Sequence, residues 1–356
     1  MPPSRVVVRA PNWVGDVVMA VPAVAAIRRA FATATLALAL PAPFASLGRA
    51  IAGVDEIAEL EGSGVRHLRG HAAALAAGRF DLGILLTNSF GSALALKRAG
   101  VPERWGVRRD LRGLLLTRGV KPEPAGDRST PEPAPFPPGH HAGYYLDILR
   151  ALGIDPVPGP YSITVPATSL SDARRRLESS GRRPDTPLVG LAPGAAYGQA
   201  KRWPPEHAAD AVGMLAAQGV QTVLVGAAAD RGTADAIATR FSARGVPAIP
   251  PIDLVGQTSL AELMGILAEC RLVVSNDSGA MHVAAALGRP VVALFGPTDE
   301  RRTAPIGPHV IVKEDVWCRP CLLRECPIDH RCLRSIGAGR VVEAVTAWLS
   351  PAREAR

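Results

Sequence analysis

Three places in this chain combine residue types that could hold and move a charged group: Asp16, Lys201, and the run Asn276-Asp277-Ser278-Gly279 with His282 just beyond it. Asp16 closes the segment Pro11-Asn12-Trp13-Val14-Gly15-Asp16, where a strand should give way to a helix. A carboxylate there could take a proton from a substrate hydroxyl as a general base, and Gly15 would let the ligand approach the backbone. Lys201 follows the turn Pro193-Gly194-Ala195-Ala196-Tyr197-Gly198-Gln199-Ala200. Close main-chain approach at Gly194 and a point charge at Lys201 are what a diphosphate needs. Ser278 and Gly279 stand on the expected first turn of a helix, where unpaired N–H groups and the positive end of the dipole seat a phosphate. His282 lies one turn along, able to face the same crevice. Each has a plainer reading: Asp16 and Asp277 as helix caps, His282 as a packed core residue. Spacing alone leaves both open.

Such residues need elements that present them. Residues 272–275 are a short apolar run with β-branched members, the pattern of a strand buried on both faces. The helix after it should end at Gly288, with Pro290 blocking continuation, and residues 291–295 read as the next strand. The same alternation predicts strands at 5–10, 35–40, 81–86, 188–192 and 221–226. It predicts helices over 17–31, 144–152, 169–180, 206–218 and 230–245, and another after the loop 254–260. Pro22 either opens the regular part of its helix or kinks it. Thr87-Asn88-Ser89-Phe90 adds a further polar loop at a strand's carboxyl end. The class is α/β with parallel sheets and ligands at the carboxyl ends of the strands. Two such domains facing each other would line a cleft from both sides. No G-x-G-x-x-G follows the first strand, which argues against a nicotinamide enzyme, and the Walker order is absent.

The chain has 356 residues, 47% of them hydrophobic and 20% charged, with a net charge of +8. That length suits two domains, and the charge favours an acidic partner. No stretch is a convincing membrane span and no cleaved-signal pattern opens the chain, so a cytoplasmic protein is expected. Residues 97–121 carry Lys97, Arg98, Arg104, Arg108, Arg109, Arg112, Arg118 and Lys121 against Glu103 and Asp110. Read plainly this is a solvated face; read functionally, its arginines would dock an acidic acceptor. Nucleic acid is disfavoured, because the run lacks interleaved aromatics. Seven prolines fall within residues 121–141, expected to form a mobile loop over the first domain, with the linker placed at 155–165. Cys318, Cys321, Cys326 and Cys332 give C-x2-C-x4-C-x5-C. A small zinc knuckle and reduced thiols in a compact loop are the two readings; lone Cys270 reads as core.

Taken together, Pro11 to Asp16, Asn88-Ser89-Phe90, Pro193-Gly194 through Lys201-Arg202-Trp203-Pro204, and Asn276-Asp277-Ser278-Gly279 with Met281-His282-Val283-Ala284-Ala285-Ala286 resemble the lipopolysaccharide heptosyltransferases of glycosyltransferase family nine, and within them the heptosyltransferase II group. The likeness runs through most of the chain in order. It implies the GT-B fold of two facing Rossmann-like domains with an inter-domain cleft: residues 1–165 for the acceptor, and 166–356 for the nucleotide sugar, including the Cys-rich segment 318–332 and a C-terminal helix. It implies inverting, metal-independent transfer of heptose from ADP-heptose to the heptosylated inner core on lipid A, by a monomer peripheral to the cytoplasmic face of the inner membrane. Carried over by motif, Asp16 would be the base. Lys201 would hold the diphosphate with Gly194, Ser278 and Gly279, and Asp277 and His282 would complete the donor pocket, with Thr258 near the adenine. Trp13, Gly15, Asn88, Ser89, Arg108 and Arg109 would meet the acceptor. The acid that some relatives place after the strand ending at Gly226 is missing from Ala227-Ala228-Ala229, with Asp230 the nearest substitute. Rival readings are a same-fold transferase for another nucleotide sugar and a non-catalytic sugar-nucleotide-binding protein.

Overall fold

The computed structural model describes residues 2–121, 136–243 and 249–350. The chain divides into two compact units, Met1–Thr164 and Val165–Arg356. In unit 1 the strands are β1 Arg5–Arg9, β2 Thr35–Pro41, β3 Glu56–Leu60, β4 Leu82–Leu85, β5 Glu103–Val107 and β6 Arg118–Val120. In unit 2 they are β7 Leu188–Ala192, β8 Gln221–Leu224, β9 Ile252–Asp253, β10 Leu272–Asn276, β11 Val291–Phe295 and β12 His309–Lys313.

Each unit holds one six-stranded sheet, ordered β3-β2-β1-β4-β5-β6 in the first and β12-β11-β10-β7-β8-β9 in the second. Every neighbouring pair is parallel. Renumbered within unit 2, the second order is the first read backwards, so both sheets are doubly wound and reverse direction at one point. That switch lies between β1 and β4 in unit 1 and between β7 and β10 in unit 2. Loops leaving the carboxyl ends of such paired strands diverge to opposite faces and leave a crevice between them. The four motif stretches follow β1, β4, β7 and β10.

The central strands are apolar in their middles because helices cover both faces. Val6, Val7 and Val8 of β1 and Val291, Val292 and Ala293 of β11 are fully buried. The helix expected over 17–31 is two helices, Val14–Met19 and Val21–Ala30, joined at Ala20. Pro22 sits in the first turn of the second, where its missing N–H removes no intrahelical bond. Strands β3, β5, β6, β9 and β12 were not foreseen: they are short, lie toward or at the sheet edges, and are more mixed in polarity. The stretch expected as a linker, 155–165, contains the division between the units and packs on unit 1 up to it, through the bridge of Ile51 with Ile163, the bond from Thr164 N–H to Ala50 carbonyl (2.9 Å), and Arg29 donating to the Val157 carbonyl. Residues 122–135 of the proline-rich stretch lie outside the described residues.

Leu38 of β2 is 1% exposed. Leu38→Ala is expected to cost about 2–5 kcal/mol, read as a lower midpoint in urea denaturation, because the sheet and its covering helices cannot collapse into the space.

Candidate active site

In unit 1, Asp16 stands in the first turn of the helix Val14–Met19, with its side chain 28% exposed. Its Oδ1 lies 3.8 Å from Nδ1 of His141, which opens the helix His141–Ala151. The Asp16 charge also reaches Tyr145, whose hydroxyl is pushed well up, first by burial and then by Asp16 and Tyr144. The loop before Asp16 is fixed from below by Arg9, the last residue of β1. Arg9 is 6% exposed, donates to Asn12 Oδ1 at 2.6 Å, and also donates to the Ala10 carbonyl. Burial lowers its pKa to about 10, still a cation at neutral pH. Trp13 is exposed and Gly15 half-buried beside it.

After β4, Ser89 caps the helix Phe90–Arg98, its Oγ accepting from Ser92 N–H at 3.2 Å. Ser89 therefore has structural work of its own. Asn88 is exposed, donates to the Tyr144 hydroxyl at 2.7 Å, and has its carbonyl oxygen 3.4 Å from Arg112 Nη1. Arg108 and Arg109 are both exposed. Unit 1 thus holds two groups, Asp16 with His141, and Asn88 with Tyr144 and Arg112.

In unit 2 the centre is a buried ion pair. Lys201 Nζ lies 2.6 Å from Asp277 Oδ2, with the two side chains 12% and 5% exposed. The same carboxylate oxygen accepts from Thr298 Oγ1 at 2.7 Å. The Lys201 ammonium also faces the Tyr197 ring, 4.8 Å from its centroid. Asp277 therefore positions Lys201. Asn276, at the end of β10, holds the preceding loop: its Nδ2 donates to the Pro193 carbonyl at 2.6 Å and its Oδ1 accepts from Trp203 N–H at 3.3 Å. Ser278, Gly279 and Ala280 are half-exposed at the start of the helix Gly279–Ala286, whereas Asp277, Met281 and His282 around them are buried. The first-turn backbone is the open part of this motif, and His282, 3% exposed, packs inward.

Gly194 is buried against Asp230: a Cβ at 194 would lie 2.1 Å from the Asp230 carboxyl carbon. The glycine answers this packing, which leaves no room for a side chain at 194. Asp230 accepts from Ala227 N–H at 3.1 Å and pairs with Arg202 at 3.1 Å, which commits the acid considered for a ribose to closing the loop. Thr258 is half-buried just ahead of Ser259, the cap of the helix Leu260–Glu269.

The Cys-rich segment clasps the Lys201 loop. Ala200 N–H donates to the Arg324 carbonyl at 3.0 Å, and the Tyr197 hydroxyl donates to the Leu322 carbonyl at 2.8 Å. A Cβ at Gly198 would stand 2.3 Å from the Arg324 carbonyl oxygen. Arg319 anchors the segment, donating to the Gly296 and Thr298 carbonyls at 3.0 Å each and to Glu300 at 2.8 Å. The Glu300 carboxyl titrates at about 2: burial opposes its ionisation, and hydrogen bonds from Lys313, its own backbone and Arg319 overcome that. All four cysteines are free thiols, and the Cys332 thiol is pushed up, first by burial and then by Cys318. Among the described residues no group of three or more His, Cys, Asp or Glu is arranged to hold a metal ion. Main-chain bonds and arginine pairs tie the segment to its neighbours.

Sequence comparison decides the family. A model described as glycosyltransferase family 9 (heptosyltransferase) matches residues 144–331. The chain is 32% identical over 311 residues to lipopolysaccharide heptosyltransferase 2 of Salmonella typhimurium, covering 85% of each chain. The chain belongs to glycosyltransferase family 9. The corresponding Escherichia coli protein is 32% identical over 319 residues, again across 85% of both chains. The solved structure of E. coli ADP-heptose lps heptosyltransferase II aligns with a TM-score of 0.77 at 26% identity, covering 99% of this chain and 100% of that one. This chain is accordingly a glycosyltransferase with the GT-B fold.

For this family 9 enzyme, sequence reading missed Arg9, His141, Thr298 and the stapling role of Asn276. Arg9 had a signal: a charged residue at the carboxyl end of an apolar strand, next to a ligand loop. His141 had none, since 125 residues separate it from Asp16.

Asp277→Ala leaves the Lys201 ammonium buried without its carboxylate, and is expected to cost about 3–5 kcal/mol of stability. Adding Lys201→Met should return part of that loss, measured as a coupling energy in a denaturation cycle. Glu300 ionises more readily folded than unfolded, so its contribution is complete above pH 4.5 and disappears as pH falls toward 2. The melting-temperature gap between wild type and Glu300→Gln should therefore be widest near neutrality and close in acid.

Proposed function

We propose that this glycosyltransferase moves heptose from ADP-heptose to a hydroxyl of the heptosylated lipopolysaccharide inner core, with inversion. The reading is carried by the buried Lys201–Asp277 pair beside the half-exposed helix start at Ser278 and Gly279, in a chain one-third identical to heptosyltransferase 2 over most of its length. Unit 2 takes the nucleotide sugar. Lys201 lies against the diphosphate, and the N–H groups of Ser278 and Gly279 complete an anion seat that needs no cation. Unit 1 takes the acidic acceptor, with Trp13, Gly15, Asn88, Ser89, Arg108 and Arg109 at its loops.

In the reaction the acceptor oxygen bonds to the anomeric carbon as the bond from that carbon to the ADP oxygen breaks. Asp16 receives the hydroxyl proton, oriented by His141, and the negative charge arriving on ADP meets Lys201 and the helix terminus. Thr258 stands on the adenine side. His282 and Gly194 shape the donor loops from beneath, and Asp277 holds the lysine. The acceptor places the enzyme at the cytoplasmic face of the inner membrane; among the described residues no helix is long and apolar enough to cross a membrane.

Asp16→Asn is expected to lower kcat by about 100- to 10,000-fold while leaving donor affinity intact, since the amide keeps the shape and cannot accept the proton. Normal turnover by this variant would remove Asp16 as the base. ADP-heptose should raise the melting temperature more than UDP- or GDP-sugars do; a reversed order would reassign the donor.

A further inference from the structure

Between β5 and β6 the chain makes a short 3-10 turn, Asp110–Leu115, whose polarity runs inside out. Arg112 is 1% exposed and Leu115 is buried, while Leu111 and Leu114 are 72% and 81% exposed. Three residues per turn put positions 111 and 114 on one edge and 112 and 115 on the other. A turn suited only to water would reverse the two, because a guanidinium is costly to bury. The cost is visible at Arg112: among the described residues its Nε and Nη2 find no hydrogen-bond partner, and Nη1 lies 3.4 Å from Asn88 Oδ1. The turn packs on the helix Phe90–Arg98, and its leucine edge stands in solvent.

Charge indicates what that edge meets. Arg108 and Arg109 directly precede the turn, Lys97 and Arg98 end the helix beneath it, and Lys121 follows; all five are exposed. Of the two acids in this stretch, Glu103 accepts from Thr117 and Trp105, and Asp110 lies 3.8 Å from Arg109. Two exposed aliphatic side chains with exposed cations on the adjoining segments fit the boundary of an anionic bilayer, where the apolar tips enter the acyl region and the cations meet phosphate headgroups. A second copy would bring the same cations face to face.

We propose that Leu111 and Leu114 form a wedge that seats unit 1 on an anionic lipid surface. This deepens the reading of unit 1 as the acceptor side, and adds a contact with the bilayer itself, separate from the acceptor's sugar. The test is co-sedimentation of the full chain with phosphatidylcholine vesicles made with and without phosphatidylglycerol. Wild type should pellet with the phosphatidylglycerol vesicles, less so as salt rises, and stay in solution with phosphatidylcholine alone. Leu111→Ser with Leu114→Ser should weaken partitioning by about tenfold or more, while Leu111→Phe with Leu114→Phe should keep it. The serine variant should transfer sugar to a delipidated acceptor at the wild-type rate. Because the vesicle arm uses neither donor nor acceptor, it stands or falls apart from the heptosyltransferase reading. Wild type ignoring phosphatidylglycerol vesicles, or the serine variant pelleting as well as wild type, overturns the wedge. So does a wild-type dimer that the serine variant dissolves without any vesicle binding, which would assign the edge to self-association.

Discussion

A lysine ammonium kept out of water needs a fixed counter-charge, and the layout of unit 2 follows from meeting that need. Lys201 sits on a loop after β7, and its partner Asp277 just past the end of β10, an adjacent strand. The pairing works only if these loops are held at a constant separation. Asn276 supplies this by bonding across to Pro193 and Trp203, and Thr298, just after β11, takes up the remaining valence of the same carboxylate oxygen. Three successive strand ends, β7, β10 and β11, thereby converge on one cation. A charge so held is fixed in advance, which for the proposed diphosphate donor would leave little reorganisation as negative charge accumulates on the leaving group.

Unit 1 solves a related problem with the opposite sign. The surroundings of Asp16, the proposed base, are looser: a histidine at 3.8 Å, a buried tyrosine, and a loop pinned through Arg9 and Asn12. Both sheets place their chemistry at the point where winding reverses. One topological rule therefore accounts for the location of all four motif stretches.

That rule is why so much could be read from the chain. Strands β1, β2, β4, β7, β10 and β11 are apolar runs bounded by glycine, proline or polar clusters, and periodicity finds them. Strands β5 and β6 were hidden inside a basic run because Arg104 and Arg118 spend their charge locally: Arg104 on the carbonyls of Val101, Pro102 and Leu115, and Arg118 over the Trp105 ring. Composition cannot distinguish an arginine paired with its own fold from one offered to a ligand. The same limit applies to Gly194 and Asp230, which look like a ligand turn and a ribose acid in sequence yet pack on each other. Long-range partners such as His141 for Asp16, or Thr298 for Asp277, leave no local trace.

The clasp on the Lys201 loop takes its hydrogen bonds from main chain on the Cys-rich side: the carbonyls of Leu322 and Arg324 accept them, the N–H of Leu322 donates to Pro297 at 2.9 Å, and the Arg324 guanidinium adds a contact 5.2 Å from the Tyr197 ring centroid. The side chain at 322 can therefore drift with little effect on these bonds, whereas the number of residues from 322 to 324 cannot change. Loss or gain of a single residue there would move a carbonyl by roughly one Cα step, about 3.8 Å, beyond hydrogen-bond reach. Across related enzymes, the length of this segment should vary far less than its composition.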